Sequence, residues 1–168
     1  MNTYCGTGLA NPRNPRGLTL AWDHNVYAKI VRTMKINETV EFIRICAQVS
    51  NILRNYANDI SRNNSEFKVE FLQSMYGPDQ KGYPKMPVGF SWEIEVLNTT
   101  GYIENTYALD VTYEESWSIS GERLKPGEFG QEKDHDILYL SELNITECTE
   151  KMKWSAEKLV EFIQNETS

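Results

Sequence analysis

Along residues 88–121, apolar and polar residues alternate almost without interruption. Phe90, Trp92, Ile94 and Val96 are interleaved with Ser91, Glu93 and Glu95. After Asn98, Thr99, Thr100 and Gly101 the alternation resumes at Tyr107, Leu109, Val111 and Tyr113, and it returns at Trp117 and Ile119. A period of two over runs this long is the signature of strands, and Asn, Thr and Gly between them mark a turn. One face then carries Phe90, Trp92, Ile94, Val96, Leu109, Val111 and Trp117; the other carries Glu93, Glu95, Asp110, Thr112 and Ser118. The pattern predicts an antiparallel meander with one buried face and one wet, acidic face. Such a sheet needs an apolar layer laid across it.

The flanking segments can supply that layer. Residues 18–22 read as a short strand, and Asp23 reads as the cap of a helix with Val26, Tyr27, Ile30, Val31 and Met34 at helical spacing. Asn37 is a second cap candidate. Over residues 38–60, Ile45, Val49, Ile52, Tyr56 and Ile60, joined by Val40, Ile43, Leu53 and Ala57, form a wide apolar stripe. Phe67, Val69 and Phe71 start a further strand, with a helix as the alternative there. Residues 77–87 hold three prolines and two glycines and read as a loop presenting Tyr83. Residues 121–136 look irregular, 137–140 a short strand. Asn144 or Thr146 caps a last helix whose inner face is Cys148, Met152, Ala156, Leu159 and Ile163, with Trp154 and Phe162 at its margins.

These expectations define an α+β chain: an antiparallel meander of about five strands, packed against two N-terminal helices and one long C-terminal helix. Residues 1–17, with three Gly and two Pro, form an N-terminal arm, and 18–168 a single domain. The order of elements resembles the helix-grip arrangement of the Bet v 1 and START folds. That resemblance implies space for a small molecule between the sheet and the last helix, lined by Trp92, Trp117, Trp154 and tyrosines.

The 168 residues are a one-domain length, and 40% are apolar, enough for a real core. No run reaches the roughly 18 apolar residues of a membrane span. The first residues lack the basic-then-apolar layout of a signal peptide, so the expectation is a cytosolic protein whose Asn-x-Thr/Ser triplets are not glycosylated. The three cysteines, Cys5, Cys46 and Cys148, are far apart, form no CxxC pair and read as reduced thiols. Charge is unevenly distributed. Up to Pro87 there are 11 Lys and Arg against 7 Asp and Glu, net +4; from Val88 onward 6 face 17, net −11. An asymmetry of this kind concerns partners and steering rather than fold.

Catalytic signatures are absent from the sequence. There is no G-x-S-x-G, H-E-x-x-H or G-x-x-x-x-G-K-[ST] pattern. Asp134, His135 and Asp136 hold three ligand-type residues, yet neighbours in a strand point to opposite sides and no second ligand spacing backs them up. Cys46 and Cys148 fall on apolar helix faces, unlike activated nucleophiles. Glu93, Glu95 and Asp110 share a face without interleaved His, Lys or Arg, so they read as a solvated carboxylate surface rather than an acid–base pair. Gly6 and Gly8 with Arg13 and Arg16 lack the strand and Walker pattern of a phosphate loop. The first-half cations are scattered, and the overall charge opposes nucleic-acid binding.

What this leaves is a non-enzymatic acidic binding protein without metal or cofactor. The leading expectation is an inhibitor or antagonist, of the immunity-protein or phage anti-defence kind, that docks on a basic surface of a partner protein. Its contact residues would be Glu93, Glu95, Asp110, Glu114 and Glu115, with Tyr113, Tyr102 and Tyr83 as aromatic anchors. Two alternatives stand beside it: a protein that binds or sequesters a small molecule or nucleotide between sheet and last helix, and a self-associating viral structural or assembly subunit. No membrane partner is expected.

Overall fold

A computed structural model of the protein describes residues 34–64, 66–76, 88–128 and 130–167. The arm at 1–17, the strand expected at 18–22, nearly all of the helix expected from Asp23 and the loop at 77–87 with Tyr83 lie outside these described residues. Within them, helix α1 (Ile36–Asn63) is followed by strands β1 (Phe67–Tyr76), β2 (Val88–Asn98), β3 (Ile103–Tyr113), β4 (Trp117–Gly127) and β5 (Gly130–Leu143), then by helix α2 (Ile145–Thr167). The class is α+β. One described helix precedes the sheet and one follows it; the other helix expected before the sheet lies outside the described residues.

The five strands form one antiparallel sheet in sequential order. An odd number of antiparallel strands leaves β1 and β5 pointing the same way. A helix running back along β1 and another running back along β5 must then be parallel to each other. This is the arrangement found: the first half of α1 lies beside the first half of α2, as Ile45 and Thr149 share one groove, and Tyr56 and Ile60 near the end of α1 lie beside Gln164. Both helices pack on the same face of the sheet, α1 against β1 and β2, α2 against β3, β4 and β5.

Local chemistry accounts for the element ends. Asn98 Oδ1 accepts the amides of Thr100 and Tyr102, both at 3.0 Å, and Gly101 supplies the positive φ of +84° that closes the β2–β3 turn. Asn144 caps α2: its side chain accepts the Glu147 amide at 3.0 Å, and Glu147 returns a carboxylate to the Asn144 amide at 2.9 Å. Thr146 is not the cap. Helix α1 starts before the expected Asn37 cap, because the Glu38 carboxylate reaches back to the Lys35 amide at 2.8 Å.

The buried stripe of α1 is Phe42, Ile45, Cys46, Val49, Leu53 and Ala57. Val40, expected in that stripe, is 61% exposed because it stands two positions from Phe42, which carries it to the far side of the helix. The stripe of α2 is Cys148, Met152, Ala156, Leu159 and Ile163, all fully buried as expected. Phe90, Trp92, Ile94, Val96, Leu109, Val111 and Trp117 meet these stripes from the sheet. Phe42 joins the layers, its ring centroid 5.4 Å from Phe90 and 4.9 Å from Trp117.

Residues 121–136, expected to be irregular, form the distal halves of β4 and β5. Their charges pair across the ribbon: Arg123 Nε donates to Asp134 at 2.6 Å, and Lys125 Nζ lies 3.2 Å from the same carboxylate. A mostly exposed ribbon is held by its backbone ladder and needs no apolar alternation, which is why periodicity misses it. Gly130, at φ +135°, turns the chain at its tip.

Ser155 is a polar intruder in the α2 layer, fully buried with no partner for its hydroxyl. Ser155→Ala removes a desolvated group without opening a large void, so stability should stay level or rise by about 1 kcal/mol. Urea unfolding checks this; a clear loss would show that the hydroxyl is bonded. None of the described helices is long and apolar enough to cross a membrane.

Candidate functional site

The sheet face away from the helices carries the acidic residues. In register across the strands stand Leu72, Glu93, Ala108, Glu122 and Asp136; one row over stand Glu70, Glu95, Thr106 and Leu124; the next row holds Ser74, Ser91, Asp110 and Ser120. Glu93, Glu95 and Asp110 are therefore brought together as expected, and Glu70 and Glu122 join them from β1 and β4. The same period of two that placed Ser118 on this face extends to Glu122 and would have found it. Lys68 and Lys133 stand at the two margins, bonded to Glu70 and, at 2.9 Å, to Asp136.

This face is not simply wet. Ser91, Thr106 and Ala108 are buried on it. Thr106 sits between Glu95 and Leu124, and Ala108 between Glu93 and Glu122, so each short side chain stands between two longer ones. Asp110 shares the shelter. Burial pushes its carboxyl up to about 6, and the negative charges of Glu122 and Glu93 push the same way, against a hydrogen bond from Ser91. The face is thus a carboxylate cluster with Asp110 at its half-buried centre.

The other expected contact residues disperse. Glu114 and Glu115 are exposed in the β3–β4 turn. Tyr113 turns to the helix side, its ring 5.1 Å from Trp117. Tyr102 is 74% exposed but lies at the β2–β3 turn, while Tyr113 pairs with Val88 at the other end of β2. At roughly 3.3 Å per residue the two tyrosines are about 30 Å apart and cannot anchor one small footprint. Tyr83 lies outside the described residues.

The residues weighed for other chemistry have structural partners. Asp134 binds Arg123, Asp136 binds Lys133, and His135 stacks on Phe162 with centroids 5.2 Å apart. Among the described residues no group of His, Cys, Asp and Glu has the spacing to hold a metal ion. Cys46 and Cys148 are buried free thiols; burial raises both, Cys148 to about 12, which keeps them protonated and unreactive at neutral pH. The three tryptophans do not line one space. Trp92 and Trp117 are core residues, and Trp154 is 43% exposed on the outer side of α2 with Lys151 Nζ 5.8 Å from its ring.

Sequence reasoning did not anticipate a second polar assembly at the far end of α2. Glu166 in the last turn accepts the Tyr107 hydroxyl at 2.9 Å and the Arg123 guanidinium, which also holds Asp134. Burial and the Glu166 carboxylate both raise the Tyr107 phenol, so it stays a donor. Only the fold reveals this set, since Glu166 is 59 residues from Tyr107.

Compared with protein-family models, with curated proteins and with solved structures, the chain matches none. Its functional reading therefore rests on its own geometry.

Proposed function

We propose that the protein is a non-enzymatic binding protein, an inhibitor or antagonist that docks its acidic sheet face on a basic surface of a partner protein. The observation that supports this most is the convergence of Glu93, Glu95, Asp110 and Glu122 from three adjacent strands onto one face, with the cations Lys68 and Lys133 at its margins. Burying like charges together raises the cost of ionising Asp110, and a cationic partner relieves that cost. Charge of this kind steers encounter and selects partners more than it adds affinity.

The test is the variant Glu93→Lys with Glu95→Lys. Both residues are half-buried and next to other carboxylates, so melting at neutral pH should change little, while the on-rate for a partner captured with the wild-type protein should fall at least about tenfold. The wild-type on-rate should also fall steeply with salt. A partner that binds the variant as fast as the wild type, at a rate that ignores ionic strength, would sink this reading.

A further inference from the structure

We infer that the outer edge of β1 binds the same edge of a second copy of this chain, antiparallel about a two-fold axis at Val69, so that two five-stranded sheets join into one. The inference does not rest on the docking role of the acidic face, and the two readings can fail separately.

The two edges of the sheet differ. Strand β5 pairs with β4 through three register shifts, and its backbone turns to a φ of +58° at Glu142. Bulges and irregular backbone of this kind protect an edge from further pairing. Strand β1 has no such protection. It pairs with β2 from Phe67 to Tyr76 without a shift, it holds neither proline nor glycine, and among the described residues no strand lies on its other side. A regular edge presents a row of backbone donors and acceptors that a further strand satisfies.

The side chains of β1 identify which strand. Phe67, Lys68, Val69, Glu70 and Phe71 read alike in both directions except that the charge reverses. A two-fold axis at Val69 sets Lys68 opposite the second copy's Glu70, and Glu70 opposite its Lys68. An axis at Lys68 or at Glu70 opposes like charges, and one at Phe71 or Leu72 leaves both charges facing uncharged residues. Opposite charges directly across an antiparallel pair stabilise it, and like charges destabilise it. Lys68 and Glu70 already bond each other along the strand, so their side chains reach the positions that this exchange needs. On the helix side Val69 meets its own copy and Phe67 meets Phe71. Both phenylalanines are only half-buried at this edge, and the join continues the apolar layer across them.

Helix α1 leaves room for the second copy. Ser50 Oγ lies 3.0 Å from Gln73 Oε1 on β1 and accepts the Trp92 indole on β2 at 2.8 Å, so α1 runs over the seam between these strands. From that seam to its counterpart across the axis is two strand spacings, about 10 Å, which is the ordinary separation of two packed helices. A two-fold join of this kind is self-complementary and closed, and it sets both acidic faces on one side of a single sheet.

Sedimentation velocity of the full chain from micromolar to near-millimolar concentration should show a monomer–dimer equilibrium. The amides of β1 should gain protection from hydrogen exchange as the dimer forms. Lys68→Glu opposes like charges across the axis and should weaken the dimer at least about tenfold; Lys68→Glu combined with Glu70→Lys restores opposite charges in the same register and should return most of the affinity. Neither side chain is in the core, so the variants should melt close to the wild type in dilute solution. Protection of β1 that does not change with concentration would mark a segment of the same chain on this edge. That result, a monomer over the whole range, a dimer undiminished by Lys68→Glu, or one that the double change fails to restore would each overturn the assignment.

Discussion

Asp110→Asn is expected to make the protein more stable at neutral pH and to remove a downward slope in its stability between about pH 4 and pH 6. In the unfolded chain this carboxyl releases its proton near 3.8; in the folded protein burial and the adjacent Glu122 and Glu93 hold it until about 6. Between these values the native state keeps a proton that the unfolded state has lost. Stability therefore falls as pH rises through this window, and the deficit is complete above it. The size is on the order of 2–3 kcal/mol, since each tenfold change in proton affinity is worth about 1.4 kcal/mol. Asparagine is neutral throughout and can keep a hydrogen bond to Ser91. Urea unfolding at pH 4 and pH 7.5 should give nearly equal stabilities for the two proteins at the lower value and a gain of about 2 kcal/mol for the variant at the higher one. Parallel pH profiles would show that Asp110 is solvated in the folded state. If a cationic partner seats on this face, it should lower the same proton affinity, so association near pH 6 should release protons into the buffer.

The second large effect concerns the seam between α1 and the sheet. Ser50 Oγ accepts the Trp92 indole N–H at 2.8 Å and lies within bonding distance of the Cys46 carbonyl, 2.9 Å, and of Gln73 Oε1, 3.0 Å. Trp92 is fully buried. An indole donor there has no water to turn to, and Ser50 is the hydroxyl that satisfies it. Ser50→Ala should cost about 2 kcal/mol, most of it the desolvation of an unpaired N–H rather than the loss of a contact. In a domain of this size that is a drop of roughly 4–8 °C in melting temperature. The control is the cycle with Trp92→Phe. Trp92→Phe alone opens space in the core, but once the indole donor is gone, Ser50→Ala should cost at least about 1 kcal/mol less than in the wild type. Additive effects of the two changes would mean that the bond contributes nothing beyond packing.

The two halves of the molecule differ in how far they can be read from residues alone. The meander was legible because Trp92, Ile94, Leu109, Val111 and Ile119 obey a period set by the pleat itself, and a half-buried sheet cannot avoid showing it. The inner face of α2 was legible for the matching helical reason, and Asn144 with Glu147 marked its start. The start of α1 and the exposure of Val40 were less so, since an apolar residue tolerates exposure without any local signal. The β4–β5 ribbon escaped because exposed strands joined by ion pairs obey no hydrophobic period.

Local sequence also determined that Glu93 and Glu95 share a face, as residues two apart in a strand must. Only the tertiary structure decided which other groups join them, because register across strands sets Glu93 beside Ala108 and Glu122 rather than beside a cation. It alone decided that Asp110 is desolvated, since burial depends on the reach of side chains from neighbouring strands. It alone brought Arg123, Tyr107 and Glu166 together at the end of α2, where residues far apart in the chain neutralise one another. Periodicity is a local property that each segment carries by itself, whereas the pairing and desolvation of charges belong to the packed chain.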